Sequence, residues 1–203
     1  MGPKIIEKEN LIENLRCLAA QRVLYTEAKS VFFWQIILTT ITIVVLSFLD
    51  IFYDIEWIVA TVSVFITIAD VTLLTPLLDS RKEKAAKIQE YFDISVLDIK
   101  WNQILVEDKP NKEEIFRYSE KYNKKFSNFD SLKNWYSDKI QQIETDVAKI
   151  ICQRSNCVYD YSIRDAYSKV IIFILIVTII LLLVIGVIKG LTLRNFFLLV
   201  GLP

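Results

Sequence analysis

Trp57-Ile-Val-Ala-Thr-Val-Ser-Val-Phe-Ile-Thr-Ile-Ala-Asp70-Val-Thr-Leu-Leu-Thr-Pro-Leu-Leu78 reads as a membrane-spanning helix with one carboxylate near its middle. A charge at the centre of a bilayer costs roughly 2.5–3.5 kcal/mol on insertion scales, so Asp70 marks a functional position by default. Two further apolar runs, Val31 to Leu49 and Val170 to Ile188, have the length needed to cross about 30 Å of hydrocarbon. All three lie around a charged insert of 91 residues, Asp79 to Lys169. The chain reads as a membrane protein with a sizeable soluble part.

The whole-chain charge of zero, 24 basic against 24 acidic residues, hides this segregation. The insert alone holds 17 Lys/Arg and 16 Asp/Glu, a balanced solvated surface rather than an arm for DNA or RNA. Histidine is absent, which removes the commonest general base and most zinc sites. With no nucleophile elbow, phosphate loop or metal-ligand cluster to see, no enzymatic reaction suggests itself. Cys17, Cys152 and Cys157 are odd in number and read as buried thiols on the side of a reducing cytosol. Lys4, Lys8, Arg16, Arg22 and Lys29 precede the first span without an early apolar core, so no cleaved secretory signal is expected.

Charge sets the topology. The link Asp50 to Glu56 carries three acids and no Lys or Arg, whereas Arg22 and Lys29 precede span one and Arg81, Lys82, Lys84 and Lys87 follow span two. The positive-inside rule then puts the N-terminus and the insert in the cytoplasm, and the acidic link outside. Trp34, Phe52, Tyr53 and Trp57 suit an interfacial aromatic belt. Span three must leave the cytoplasm again, and its outer link, Lys189 to Arg194, carries two basic residues against the rule. The apolar run from about Leu191 to Pro203 is too short to cross, and a truncated fourth span is expected.

The expected fold is mainly α: two transmembrane hairpins flanking a mostly helical cytosolic domain. Residues 1–30 form an amphipathic helix on the spacing of Leu11, Leu15, Leu18, Arg22 and Tyr25. Residues 31–78 form the first hairpin, with spans at about 31–49 and 57–78. Residues 79–169 form the cytosolic domain, and 170–203 the second hairpin, with a span at 170–188 and a partial one from about 191. Within the insert, Arg81 to Tyr91 continues span two with a bend near Pro76, and Ile94 to Trp101 partly alternates as an extended segment would. Lys109-Pro-Asn111 starts a helix whose inner face is Ile115, Tyr118 and Tyr122. Ile140, Ile143, Val147, Ile150 or Ile151, and Arg154 trace a long amphipathic helix.

Three ordered elements now acquire meaning together. They are Asn14 to Tyr25 followed by Glu27-Ala-Lys29; Lys82 to Asp93 followed by Trp101-Asn102; and Trp135-Tyr136 with Ile150 to Cys157. In this order, between paired spans, they resemble the four-transmembrane pore-forming effectors of bacterial cyclic-oligonucleotide antiphage signalling (CBASS). The resemblance covers essentially the whole chain, apart from the incomplete fourth span. It implies a partner synthase that makes a cyclic di- or trinucleotide after phage infection. It also implies an effector that senses that ligand, needs no cofactor, and permeabilises the inner membrane in abortive infection.

Two residue sets fit such a role. In span one Gln35, Thr39 and Thr42 fall at i, i+4 and i+7, and in span two Ser63, Thr67 and Asp70 repeat the spacing. Each makes a polar stripe on an apolar helix. Such stripes suit either a water-filled path between protomers of a homo-oligomer or hydrogen bonds that glue helices together. A cyclic nucleotide needs cations for its phosphates and flat surfaces for its bases. Lys133, Trp135, Tyr136, Arg154, Asn156 and Tyr159 supply both, and Arg22 and Tyr25 join them if the N-terminal helix packs there. The alternative is a small ion- or proton-coupled transporter using Asp70 near the bilayer midplane.

Overall fold

The computed structural model describes residues 4–106, 108–188 and 190, and every regular element among them is helical. In chain order these are α1 (Ile5–Glu9), α2 (Ile12–Ile36), α3 (Thr42–Tyr53), α4 (Glu56–Ala69), α5 (Thr75–Leu97), α6 (Gln103–Val106), α7 (Lys112–Phe126) and α8 (Thr145–Ile188). Runs Ile12–Asp50, Glu56–Leu97 and Thr145–Ile188 are each long and apolar enough to cross a membrane. The expected fourth span, and its link apart from Gly190, lie outside the described residues.

The described residues form two compact units. One comprises the chain up to Val31 with Pro76–Asp160, the other Phe32–Thr75 with the residues from Tyr161. The first unit has the larger core. Leu15, Leu18 and Leu24 of α2, Ile88, Phe92 and Val96 of α5, Tyr118 and Tyr122 of α7, and Cys152 of α8 are buried together. Ala19, Ala20, Ala85 and Ala148 have no exposed surface, which lets helix backbones approach closely. Glu27 of α2 bridges Arg81 of α5 (3.3 Å) and Lys121 of α7 (2.9 Å), and Lys84 meets Glu114 at 2.6 Å. Arg81 also donates to the Tyr118 hydroxyl.

Local chemistry explains the helix ends. Asn111 caps α7 by accepting from the Glu113 N–H at 2.9 Å, and Ile115, Tyr118 and Tyr122 form its buried face. Ser127, at φ 64°, closes α7 with its N–H on the Asn123 carbonyl. Cys157 is exposed rather than buried, unlike Cys17 and Cys152, and three further expectations need correction. Ile94–Leu97 is not extended: Val96 and Leu97 are buried in the core, so α5 runs on until Asp98 turns left-handed (φ 52°) and Ile99 N–H returns to the Ile94 carbonyl. Ile140 lies in a separate 3-10 turn, Asp138–Gln142, because Ile143 is extended and α8 starts only at Thr145. Leu11 and Arg22 are exposed, and the buried face of α2 passes through Asn14, Leu15, Cys17, Leu18 and Leu24 instead.

In the second unit, α3 and α4 form a hairpin closed by Asp54 in the left-handed region (φ 51°), its N–H on the Asp50 carbonyl at 3.3 Å. Each leg carries one π-helical segment, Ile37–Ile41 and Asp70–Leu74. Thr42 N–H reaches the Ile37 carbonyl and Thr75 N–H the Asp70 carbonyl, five residues back. The second segment ends just before Pro76, whose missing N–H interrupts the ordinary ladder there.

Candidate functional site

Residues far apart in sequence converge on Tyr136. Its backbone N–H donates to Glu9 Oε2 at 3.1 Å, and its hydroxyl donates to Asp93 Oδ1 at 3.1 Å. Asn156 of α8 donates its amide to both Asp93 Oδ1 and the Tyr136 hydroxyl oxygen, each at 2.9 Å. The Asn156 carbonyl oxygen accepts from Trp135 Nε1 at 3.3 Å. Tyr159, one turn further along α8, meets the Trp135 ring edge-to-face with centroids 5.6 Å apart. Asn10 and Asn134 exchange two bonds, Nδ2 to Oδ1 (3.0 Å) and N–H to Oδ1 (3.1 Å), which fixes the strand of chain leading into Trp135.

The result is a partly exposed indole, 42% accessible, standing on a buried polar network. Burial dominates the electrostatics. It pushes the Glu9 carboxyl up to about 7, against the lowering effect of the Tyr136 N–H. It pushes Asp93 up to about 6, with Tyr136 and Asn156 opposing, and raises the Tyr136 phenol, which also lies beside Asp93. Glu9 Oε1 is buried without a hydrogen-bond partner among the described residues, which suits a protonated carboxyl.

Of the proposed ligand residues, Trp135, Tyr136, Asn156 and Tyr159 are therefore brought together. Tyr136 is buried, and the polar atoms of Asn156 are engaged within the network, so these two position Trp135 rather than face solvent. Arg154 stands roughly 140–160° round α8 from Asn156 and Tyr159, and points away from this cluster. Lys133 is paired with Asp130 at 2.7 Å. Arg22 is exposed on α2, and Tyr25 reaches Gln89 at 3.5 Å, beside Gln21, which donates to the same oxygen at 3.0 Å. Gln89 precedes Asp93 by one turn of α5, about 6 Å, so Tyr25 and Tyr136 address one face of that helix. Glu9, Gln89 and Asp93 escaped the sequence reading. Gln89 and Asp93 flank the buried Ile88 and Phe92 within the Lys82 to Asp93 element, whereas both neighbours of Glu9 are only half-buried and nothing local marks it.

In the second unit Gln35 Nε2 donates to Asp70 Oδ1 at 2.7 Å and reaches Thr75 Oγ1 at 3.2 Å. The remaining stripe residues bond within their own helices: Thr39 to the Gln35 carbonyl, Thr42 to Ile37, Ser63 to Val59 and Thr67 to Ser63. Gln35 and Asp70 are thus the pair that crosses the hairpin. Gln35 lies two residues before one π-helical segment and Asp70 begins the other, a feature frequent at functional positions. Among the described residues no group of three or more His, Cys, Asp or Glu could hold a metal ion.

These features define a helical membrane protein in which a compact, polar-networked helical unit alternates along the chain with membrane-spanning helices. Residues 3–203 match the model of the SMODS-associating 4TM effector domain, and the chain belongs to that family. Its role is that of an antiphage defence effector. It is 27% identical over 208 residues to a probable CBASS effector molecule of Bacillus cereus (strain VD146), covering 98% of this chain and 68% of that protein. No solved structure matches it.

Proposed function

We propose that the unit containing Trp135 is cytosolic, senses a cyclic di- or trinucleotide made by a partner synthase, and so triggers disruption of the bacterial inner membrane. The observation that carries this reading is the exposed Trp135–Tyr159 pair, held by Asn156 and Asp93 on helices that also supply spans. An indole fixed in this way offers a base a stacking surface at little ordering cost. α5 and α8 each run from this unit into an apolar stretch, so ligand binding that favours one arrangement of their cytosolic parts shifts the helices that cross the bilayer. Acidic Asp50 to Glu56 outside and basic Arg81 to Lys87 inside support the orientation.

Dye release from liposomes holding the full chain tests the proposal, with a panel of cyclic di- and trinucleotides added. Leakage with one ligand, lost in Trp135→Ala, is the expected result; vesicles that stay sealed with every ligand would end it. The Gln35–Asp70 pair favours a second reading, an ion- or proton-coupled carrier. A saturable, substrate-specific flux without dye release would identify that activity.

A further inference from the structure

The cytosolic part of α8 has two faces. Ala148 and Cys152 are buried, and Asn156 and Tyr159 follow on the same side. On the opposite side Val147, Ile150, Arg154 and Val158 recur at three- and four-residue spacing. They are exposed, Val147 at 43%, Ile150 at 64% and Val158 at 53%, with exposed Cys157 at the edge of the strip. Arg154 stands in the middle of this apolar strip and makes no ion pair or hydrogen bond among the described residues.

We infer that this strip is the contact between two copies of the chain, and that Arg154 is the charge that keeps the contact weak. The inference rests on the proposed reading only in taking α8 to run onward into a membrane span. Helices that share a bilayer and an insertion direction are co-oriented, so the same strip on two copies meets in parallel and in register. Three turns of helix on each side fall short of the roughly 1,200 Å² that stable complexes bury. A contact of that size is marginal, and two guanidinium groups brought face to face decide whether it forms. Hydrophobic knobs at 147, 150 and 158 supply the attraction, and an anion or a charge-reversed partner at 154 removes the opposition. A resting effector needs such a contact to be absent, and an assembled one needs it to be specific.

Cys157 allows a test that needs no nucleotide and no leakage. Cys17 and Cys152 are buried, and burial raises their thiols to about 12 and about 11, so a short bismaleimide reacts at Cys157. In membranes from cells expressing the full chain, with Cys157→Ser as the blank, Arg154→Leu should give at least about threefold more cross-linked dimer than wild type at about 50 mM salt. The gap should close near 500 mM, where repulsion is screened within about 5 Å. Co-expressed wild type and Arg154→Glu should cross-link to each other more than either does to itself. Ile150→Glu added to Arg154→Leu should return the signal to the blank. Equal cross-linking in wild type, Arg154→Leu and the double variant would overturn the inference and assign the strip to some other occupant. Cyclic-nucleotide leakage that persists in that case would leave the sensing proposal standing, whereas the cross-linking pattern without any leakage would sink sensing alone.

Discussion

Tyr136 and Asp93 are joined by a 3.1 Å hydrogen bond inside the protein, and Asn156 of α8 donates to both partners. This triangle connects buried acid chemistry to the exposed indole of Trp135. Its energetics can be probed without knowledge of the ligand. Removing the Tyr136 hydroxyl in Tyr136→Phe should cost about 1–2 kcal/mol in denaturant unfolding, the worth of a buried hydrogen bond to a charged or partly charged group. Asn156→Ala should cost at least as much and should change Trp135 emission. The double variant should cost less than the sum, since the two share Asp93. Strict additivity would show that the triangle is not one network.

The pH dependence follows from Glu9 and Asp93. Both carboxyls are raised in the folded protein, to about 7 and about 6, from ordinary values near 4.5 and 3.8. The folded state therefore holds more protons than the unfolded chain across that interval. Their contribution to stability is complete below about pH 4 and is lost as pH rises through about 6 to 7. Thermal midpoints of the detergent-solubilised protein should therefore have a falling component between pH 5 and pH 8. Glu9→Gln should flatten that component and raise the midpoint at pH 8, by about 2–4 °C for each kcal/mol of burial cost relieved. A midpoint at pH 8 unchanged or lowered by Glu9→Gln would count against a buried, protonated Glu9.

Trp135→Ala should weaken cyclic-nucleotide binding about 5- to 150-fold, the range of about 1–3 kcal/mol for one stacked base. Arg154→Ala, on the far face of α8, should leave affinity within about twofold. Isothermal titration of the two variants separates the faces. The reverse ranking would move the ligand to the Arg154 side.

Gln35→Leu should lower the yield of inserted, folded protein because Asp70 loses its donor inside the bilayer, a loss of about 0.6–2 kcal/mol. The pair Gln35→Leu with Asp70→Leu should recover the yield, since neither polar group is then left unmatched. Fluorescence-detected size exclusion of the three proteins reads this directly. Recovery of folded protein without recovery of membrane disruption would give the pair a role beyond insertion.

How much of this could be read in advance differs from residue to residue. The α7 helix was legible because Asn111 caps it and Ile115, Tyr118 and Tyr122 repeat at helical spacing, both local properties. The ends of α5 and α7 were not, because Asp98 and Ser127 take left-handed backbone without glycine and announce no stop. Among the ligand candidates, Trp135, Tyr136, Asn156 and Tyr159 converge, but Arg154, two residues from Asn156, faces the other way. Nearness in sequence argued for grouping them, and helical rotation separates them.

Hydrophobic length alone was enough to mark the membrane spans, since crossing hydrocarbon demands an unbroken apolar run in the covalent order of the chain. The charges that bound those runs argue for orientation in the same local way. Which buried acids meet Tyr136, that Gln35 finds Asp70 across a hairpin, and that Asn156 turns inward while Arg154 turns out are of another kind. They depend on how helices distant in sequence pack, and a hydrogen bond between Asp93 and Asn156 exists only after the core has brought α5 and α8 side by side.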